Sequence, residues 1–208
     1  MSKNMENTYV VKIGSSVLLT RRNKLDEYRI AQIVQQIASL MEAGIGVVLV
    51  ISGAVACGSN FVDLKKSDKV LRQEAAGIGQ VLLTSTFNTI FKNNNLQIAQ
   101  ILLTKKDIES ENLFEVLNNY LKAGYVPFIN ENDVVDLNSF SGNDFLGAEI
   151  ATLLKTKEFF ILSTMKGSSY GIGGGEAKQQ VTYHLGKIGI KTRLLNGKVK
   201  NILLNTIL

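Results

Sequence analysis

An α/β fold with a mainly parallel central sheet and helices on both faces is what this sequence predicts, and three observations carry that expectation. Short apolar runs alternate along the chain with longer segments of helical periodicity. One run, Val47-Val48-Leu49-Val50-Ile51, is apolar throughout, which implies burial on both faces and therefore a parallel sheet. Two runs end at once in small residues, Gly14-Ser15-Ser16 and Ser52-Gly53-Ala54. In open α/β sheets ligands bind at such carboxyl ends of strands.

Tyr9-Val10-Val11-Lys12-Ile13 forms the first strand. Lys12 is its odd member, because a lysine in an apolar strand must either snorkel to the surface or meet an anion. Its place beside the Ile13-Gly14 turn favours a phosphate, which the small residues that follow let backbone N–H groups approach. From Asp26 the pattern is helical, with Ile30, Ile33, Val34, Ile37, Leu40 and Met41 on one face and Gly44 as the stop. The second strand, 47–51, leads into Ser52-Gly53-Ala54. A long helix then runs from Asp68 to Phe91, with Gln73-Glu74-Ala75-Ala76-Gly77-Ile78-Gly79-Gln80 at its centre. Gly77 and Gly79 each cost such a helix about 1 kcal/mol relative to alanine. They are expected to permit close packing, against the sheet or another subunit.

Ile98 to Leu103 gives the third strand, followed by Thr104-Lys105-Lys106-Asp107. Leu113, Val116, Leu117, Tyr120 and Leu121 mark a helix that Gly124 closes. Tyr125 to Ile129 forms the fourth strand, and the aperiodic Asn130-Glu131-Asn132-Asp133 is expected on a loop at its carboxyl end. That run offers acceptors to an ammonium group and donors to a carboxylate, which suits an amino acid; Asn and Asp equally favour plain turns. Ser139 to Asp144 reads as a further loop, followed by a helix through Leu146, Ile150, Leu153 and Leu154 and a fifth strand from Phe159 to Leu162. Gly171-Ile172-Gly173-Gly174-Gly175 opens onto a helix from Glu176 to Ile188, either an anion site or a flexible connection. Lys178 in its first turn opposes the usual preference for acidic residues there, a preference that a bound phosphate would reverse. Lys191 to Leu195 is the sixth strand. No repeat or linker interrupts the chain, so residues 1–208 read as one domain.

Hydrophobic residues make up 45% of the chain and charged ones 20%, ordinary values for a globular protein. The net charge of +5 comes from lysines and arginines scattered through the body, with a looser cluster at Lys187, Lys191, Arg193, Lys198 and Lys200. A nucleic-acid module would show a denser basic face with interleaved aromatics. A solvated basic surface is the plain reading, and a protein that handles polyanionic small molecules fits as well. The single cysteine, Cys57, allows no intrachain disulfide, which fits a reducing interior, and it reads as a small packed residue. The polar N-terminus lacks the apolar core of a signal peptide and no run approaches membrane-spanning length, so a cytoplasmic protein without membrane or nucleic-acid partners is expected. His184, the sole histidine, reads as structural or exposed.

Six stretches, taken together and in order, resemble the amino acid kinase family, in the branch that phosphorylates glutamate. They are Val11-Lys12-Ile13-Gly14-Ser15-Ser16, Ser52-Gly53-Ala54-Val55-Ala56-Cys57-Gly58, Ala75-Ala76-Gly77-Ile78-Gly79-Gln80, Gln100-Ile101-Leu102-Leu103-Thr104, Ile129-Asn130-Glu131-Asn132-Asp133 and Gly142-Asn143-Asp144. The resemblance implies an αβα sandwich, ATP and Mg²⁺, and transfer of phosphate to the side-chain carboxylate of L-glutamate, giving γ-glutamyl phosphate, the first step of proline synthesis. It implies a homo-dimer or tetramer, with proline as a candidate feedback inhibitor. By position, Lys12 would contact the transferred phosphoryl group, Lys178 would be its counterpart, and Asp144 would hold both lysines. Ser52, Gly53, Asp133 and Asn143 would bind glutamate, with Asp133 facing its ammonium group. Gly14, Ser163, Thr164, Gly173 and Gly174 would line the ATP site, with Gly14, Gly53 and Gly174 lending backbone N–H groups.

A carboxylate nucleophile is already ionised at neutral pH, so this chemistry needs lysines, amides and a metal rather than a general base. Two alternatives stand beside it: a member acting on aspartate, carbamate or a nucleoside monophosphate, and a non-catalytic glutamate- or proline-binding module. The chain departs from the family pattern in three places. Ser163-Thr164 stands for Thr-Asp, Ser141-Gly142 for Gly-Asp, and Ile172-Gly173-Gly174-Gly175 for Thr-Gly-Gly-Met. Against the family it also reads as shortened after Tyr170 and at the C-terminus, without the RNA-modification-type domain that follows in many bacterial relatives.

Overall fold

All the apolar runs become strands, and in the computed structural model, which describes residues 7–64, 68–164 and 175–208, they join into one parallel sheet. The strands are β1 (Asn7–Ile13), β2 (Ile45–Ile51), β3 (Gln97–Leu103), β4 (Tyr125–Glu131), β5 (Glu158–Ser163) and β6 (Lys191–Asn196). Their order across the sheet is β3-β4-β2-β1-β5-β6, with every pair parallel. The helices are α1 (Ser15–Leu18), α2 (Glu27–Glu42), α3 (Ala54–Gly58), α4 (Lys69–Lys92), α5 (Leu113–Lys122), α6 (Asn143–Leu153), α7 (Gly175–Lys187) and α8 (Leu204–Ile207). Of these, α1, α3 and α8 are single turns that hydrophobic periodicity is too coarse to reveal.

Strand alternation sorts the core into two layers. Val11, Leu49, Phe128 and Phe160 face α2 and α4, meeting Ile33, Ile37, Phe87 and Phe91. Val10, Val50, Ile129 and Phe159 face α5, α6 and α7, meeting Leu117, Leu146, Ile150 and Val181. Helix α2 starts where the Asp26 carboxylate accepts the Arg29 N–H at 3.0 Å, and α4 where Asp68 accepts Leu71 N–H at 3.1 Å. No helix among the described residues is long and apolar enough to cross a membrane.

The distribution of helices fixes where a ligand can sit. From β1 and β2 the chain passes to the α2–α4 face; after β3, β4 and β5 come the helices of the opposite face. Because β2 lies beside β4 and β1 beside β5, the connections diverge at two places on the carboxyl edge of the sheet. Open α/β sheets bind ligands at such divergences. This sheet has one on either side of its central β2-β1 pair.

Three expectations need correction. Asn130 and Glu131 are not on a loop: they complete β4, pairing with Leu102 and Leu103 of β3, and are 1% and 4% exposed. Polar residues persist in a buried strand here because Asn130 is fully engaged: its Nδ2 donates to Gln80 Oε1 at 2.7 Å and its Oδ1 accepts Glu131 N–H at 2.9 Å. Asn143 and Asp144 belong to α6 rather than to the loop before it, Gly142 being the cap and Asp144 an acidic residue in the first turn. Gly79 packs on α3 rather than on the sheet. A Cβ there would sit 1.8 Å from Ala54 O, and one at Gly58 would sit 1.8 Å from Ala75 O, so α3 and α4 touch backbone to backbone.

Candidate active site

Lys12 does not lie at an edge. It is on β1, one of the two central strands of the sheet, between β2 and β5, and is 7% exposed. Its side chain points to the α5–α7 face, because it continues the alternation of Val10. There its Nζ lies 2.7 Å from Asp144 Oδ1, while Lys178 Nζ, from α7, donates to Asp144 Oδ2 at 3.1 Å. One buried carboxylate thus holds two ammonium groups from elements far apart in sequence. A side-chain methyl on Gly14 would lie 3.9 Å from Lys12 Nζ, so the ammonium reaches the end of β1. Burial pushes the Lys12 pKa below the ordinary lysine value, Asp144 works against that, and Lys178 adds to it.

This cluster lies beside the divergence of β1 and β5. Ser163 ends β5 and Thr164 follows it, the Ser163 hydroxyl donating to Thr164 O at 3.2 Å. Gly14 does not lend its amide to a ligand: its N–H donates to Leu162 O at 2.9 Å, extending the β1–β5 ladder. Gly173 and Gly174 lie outside the described residues.

At the other divergence stand Ser52 and Gly53, which follow β2, and Asp133, which follows β4, while Asn143 precedes Asp144 at the start of α6. The Ser52 hydroxyl donates to Ile13 O at 3.0 Å, locking the ends of β2 and β1 together. Gly53 takes φ +107°, a conformation that favours glycine, and this turns the chain into α3. Asp133 accepts Asn138 N–H at 3.0 Å; burial raises its pKa, opposed by that bond and by the Arg72 charge. Asn143 Oδ1 is buried with no hydrogen-bond partner among the described residues, the kind of orphan acceptor that a ligand donor would satisfy. Acceptors of this kind suit a small molecule with an ammonium group.

Two features escaped the sequence reading. Gln80, the last residue of one motif, and Asn130, the first polar residue of another, meet in one buried hydrogen bond that fastens α4 to β4, and Gln73 Nε2 adds a second tie to Val134 O at 2.7 Å. The other is the burial of Glu131, whose pKa is pushed up to about 7 by desolvation and by the Asp133 charge. Period-two alternation from Ile129 carries the signal for it.

The family model described as the amino acid kinase family matches residues 7–167. The chain belongs to the amino acid kinase family. Among its relatives are glutamate 5-kinases of Clostridium acetobutylicum (37% identical, covering 77% of this chain and 63% of that protein) and Methylococcus capsulatus (40%, covering 76% and 44%). A third, from Thermus thermophilus, is 33% identical over 95% of this chain and 64% of its own length. The chain therefore spans less than two thirds of the length of these curated relatives. In fold it is similar to UMP kinase from Ureaplasma parvum, with a TM-score of 0.67 at 11% identity over 97% of this chain and 94% of that one. It is likewise similar to isopentenyl phosphate kinase from T. acidophilum, with a TM-score of 0.64 at 16% identity and 92% coverage of both chains.

Proposed function

We propose that this chain transfers the terminal phosphate of ATP to the side-chain carboxylate of L-glutamate, giving γ-glutamyl phosphate and ADP, as the first step of proline synthesis. The observation that carries this reading is the Lys12–Asp144–Lys178 bridge, beside the β1–β5 divergence of a sheet whose connections diverge at two places. The names of the relatives, glutamate 5-kinases, supply the acceptor.

In the proposed step a carboxylate oxygen of glutamate bonds to the γ-phosphorus while the bond from that phosphorus to the β,γ-bridging oxygen breaks. No proton has to be removed, since the nucleophile is ionised. The difficulty is electrostatic, because two anions must meet, and two ammonium groups pinned by one carboxylate are pre-oriented to share the excess charge. Asp144 prevents the lysines from repelling each other apart while leaving the pair net positive. Asp133 would receive the ammonium of glutamate, and Asn143 and Ser52 its polar oxygens and nitrogens. Ser163, Thr164, Gly173 and Gly174 would border the nucleotide. Among the described residues no group of three or more His, Cys, Asp or Glu could hold a metal, so Mg²⁺ would arrive on the phosphates of ATP, as it commonly does in phosphoryl transfer. When bound it would neutralise phosphate charge. Self-association and inhibition by proline belong to the same proposal.

Lys178→Ala tests the reading. Turnover should fall at least about 100-fold, the scale of losing one charge-stabilising donor, with glutamate affinity nearly unchanged. An undiminished rate would remove Lys178 from the mechanism. One observation favours a second reading, a glutamate-binding module without catalysis. The alignment to the Thermus protein runs over 237 positions for 95% of a 208-residue chain, so that relative has residues with no counterpart here. The family match ends at residue 167, which supports placing them in the nucleotide half. Calorimetry that finds glutamate binding but no binding of ATP with Mg²⁺ would select this second reading.

A further inference from the structure

Glu131 is a buried carboxylate that the chemistry above does not use. It ends β4 at 4% exposure, two residues past Ile129 and so on the same face of the sheet. Ile129 stands in one cross-sheet row with Val50 and Lys12, so Glu131 lies just beyond that row, towards the carboxyl edge, on the face where the two lysines meet Asp144. The charges that act on it are Lys12 of β1, which favours its ionised form, and Asp133 and Asp136 of the following loop, which oppose it. Among the described residues the one hydrogen bond its carboxylate accepts is from the Phe140 N–H to Oε2, at 3.3 Å.

That bond has a mechanical meaning. The segment 132–142 leaves the sheet with Asn132 N–H on Leu103 O at 2.8 Å and closes on itself through Asp133 and Asn138. It returns at Phe140, whose ring is buried, two residues before the Gly142 cap of α6. Asp133 therefore stands at one end of the segment and Asn143 and Asp144 just past the other, with Glu131 tying the return. An amide could anchor the Phe140 N–H as well as a carboxylate does, without the cost of burying a charge. A carboxylate adds a negative charge next to Asp133; among the described residues the cations acting on the two are Lys12, on Glu131, and Arg72, on Asp133.

Resting on the glutamate reading, we infer that Glu131 is a positioning residue of the amino-acid half of the site: it holds the 132–142 segment through the Phe140 amide, and its charge, beside Asp133, favours an ammonium-bearing ligand. Desolvation and Asp133 place its titration at about pH 7. Below that pH the carboxyl is neutral and its contribution to ammonium binding is lost; above it the charge is present. The KM for glutamate should thus rise as pH falls through neutrality, while the KM for ATP, bound at the other divergence, should not follow.

The test is a pair of variants, Glu131→Gln and Glu131→Ala, assayed for glutamate-dependent ADP release at about pH 6 and pH 8, with glutamate binding followed by calorimetry at both pH values. For the unsubstituted chain the KM and the dissociation constant for glutamate should rise about fivefold from the higher to the lower pH, the scale of losing one partly screened charge. Glu131→Gln keeps an acceptor for Phe140 and removes the charge. It should show the weaker affinity at both pH values, with a flat profile and a smaller change in kcat than in KM. Glu131→Ala should bind glutamate more weakly still. An unchanged pH slope in Glu131→Gln, or a flat profile in the unsubstituted chain, overturns the inference. Absence of glutamate-dependent ADP release together with pH-dependent glutamate binding would instead sink the kinase reading and leave Glu131 in place. No glutamate binding at either pH would overturn both.

Discussion

Asp144 touches two ammonium groups with its two oxygens, at 2.7 and 3.1 Å, and is itself 2% exposed. Taking the charge from that carboxylate, as Asp144→Asn does, leaves two buried lysines facing each other. The expected loss is about 3 kcal/mol of stability near pH 7, the usual result of breaking a buried pair from one side, read from the midpoint of urea unfolding. The pH dependence follows from Lys12, whose pKa in the fold already lies below its ordinary value because of burial. A lysine depressed in this way contributes stability at high pH and loses it as pH falls through the folded value. The deficit of Asp144→Asn should therefore shrink as the pH is raised from about 7 to about 10, and a constant deficit would mean that both lysines stay charged without their partner. Lys12 was conspicuous in the sequence as a cation in an apolar strand. That it shares one carboxylate with Lys178 was implied only by the family resemblance and not by residue pattern, because 166 positions separate them and it takes the packing of α6 on β1 and of α7 on α6 to bring them together.

At the scale of elements, the backbone contact of α3 with α4 decides how the Ser52 turn is held. Gly79→Ala would push a methyl into Ala54 O, at 1.8 Å, and no flexible side chain is there to give way. Gly77→Ala, one turn face away, would meet only Val134 Cγ2 at 3.4 Å. Thermal or urea unfolding should show Gly79→Ala losing more than about 3 kcal/mol, above the range for ordinary overpacking. Gly77→Ala should stay within about 1 kcal/mol of the parent, helped by alanine's better helix propensity. Equal effects at the two sites would deny the close approach. Both glycines look alike in sequence, each a small residue in a helix. What separates them is the partner, and α3 is too short to be read from periodicity. The same limit explains β4: apolar content ends at Ile129, so a reading by hydrophobicity stops the strand there. The hydrogen bonds of Asn130 with Gln80 and of β3 with β4 carry it two residues further.

For the whole molecule, the parallel sheet and its two helical layers were legible because β1, β2, β4 and β5 are buried on both faces and α2, α5 and α6 present clear apolar stripes. The strand order was not legible from apolar patterning, since that pattern is the same for every permutation of parallel strands; yet it is the order that sets β2 against β4 and β1 against β5 and so creates the two edges where the connections diverge. The account as a whole stands on the claim that a carboxylate amino acid and the end of a nucleotide meet at the lysine pair between those edges. Coupled measurement of ADP release by the purified chain, with ATP and Mg²⁺ present and L-glutamate added or withheld, tests it most directly. ADP release that requires glutamate, and that disappears in Lys178→Ala, is the predicted result; release indifferent to glutamate, or none at all while ATP and glutamate both bind, would contradict it.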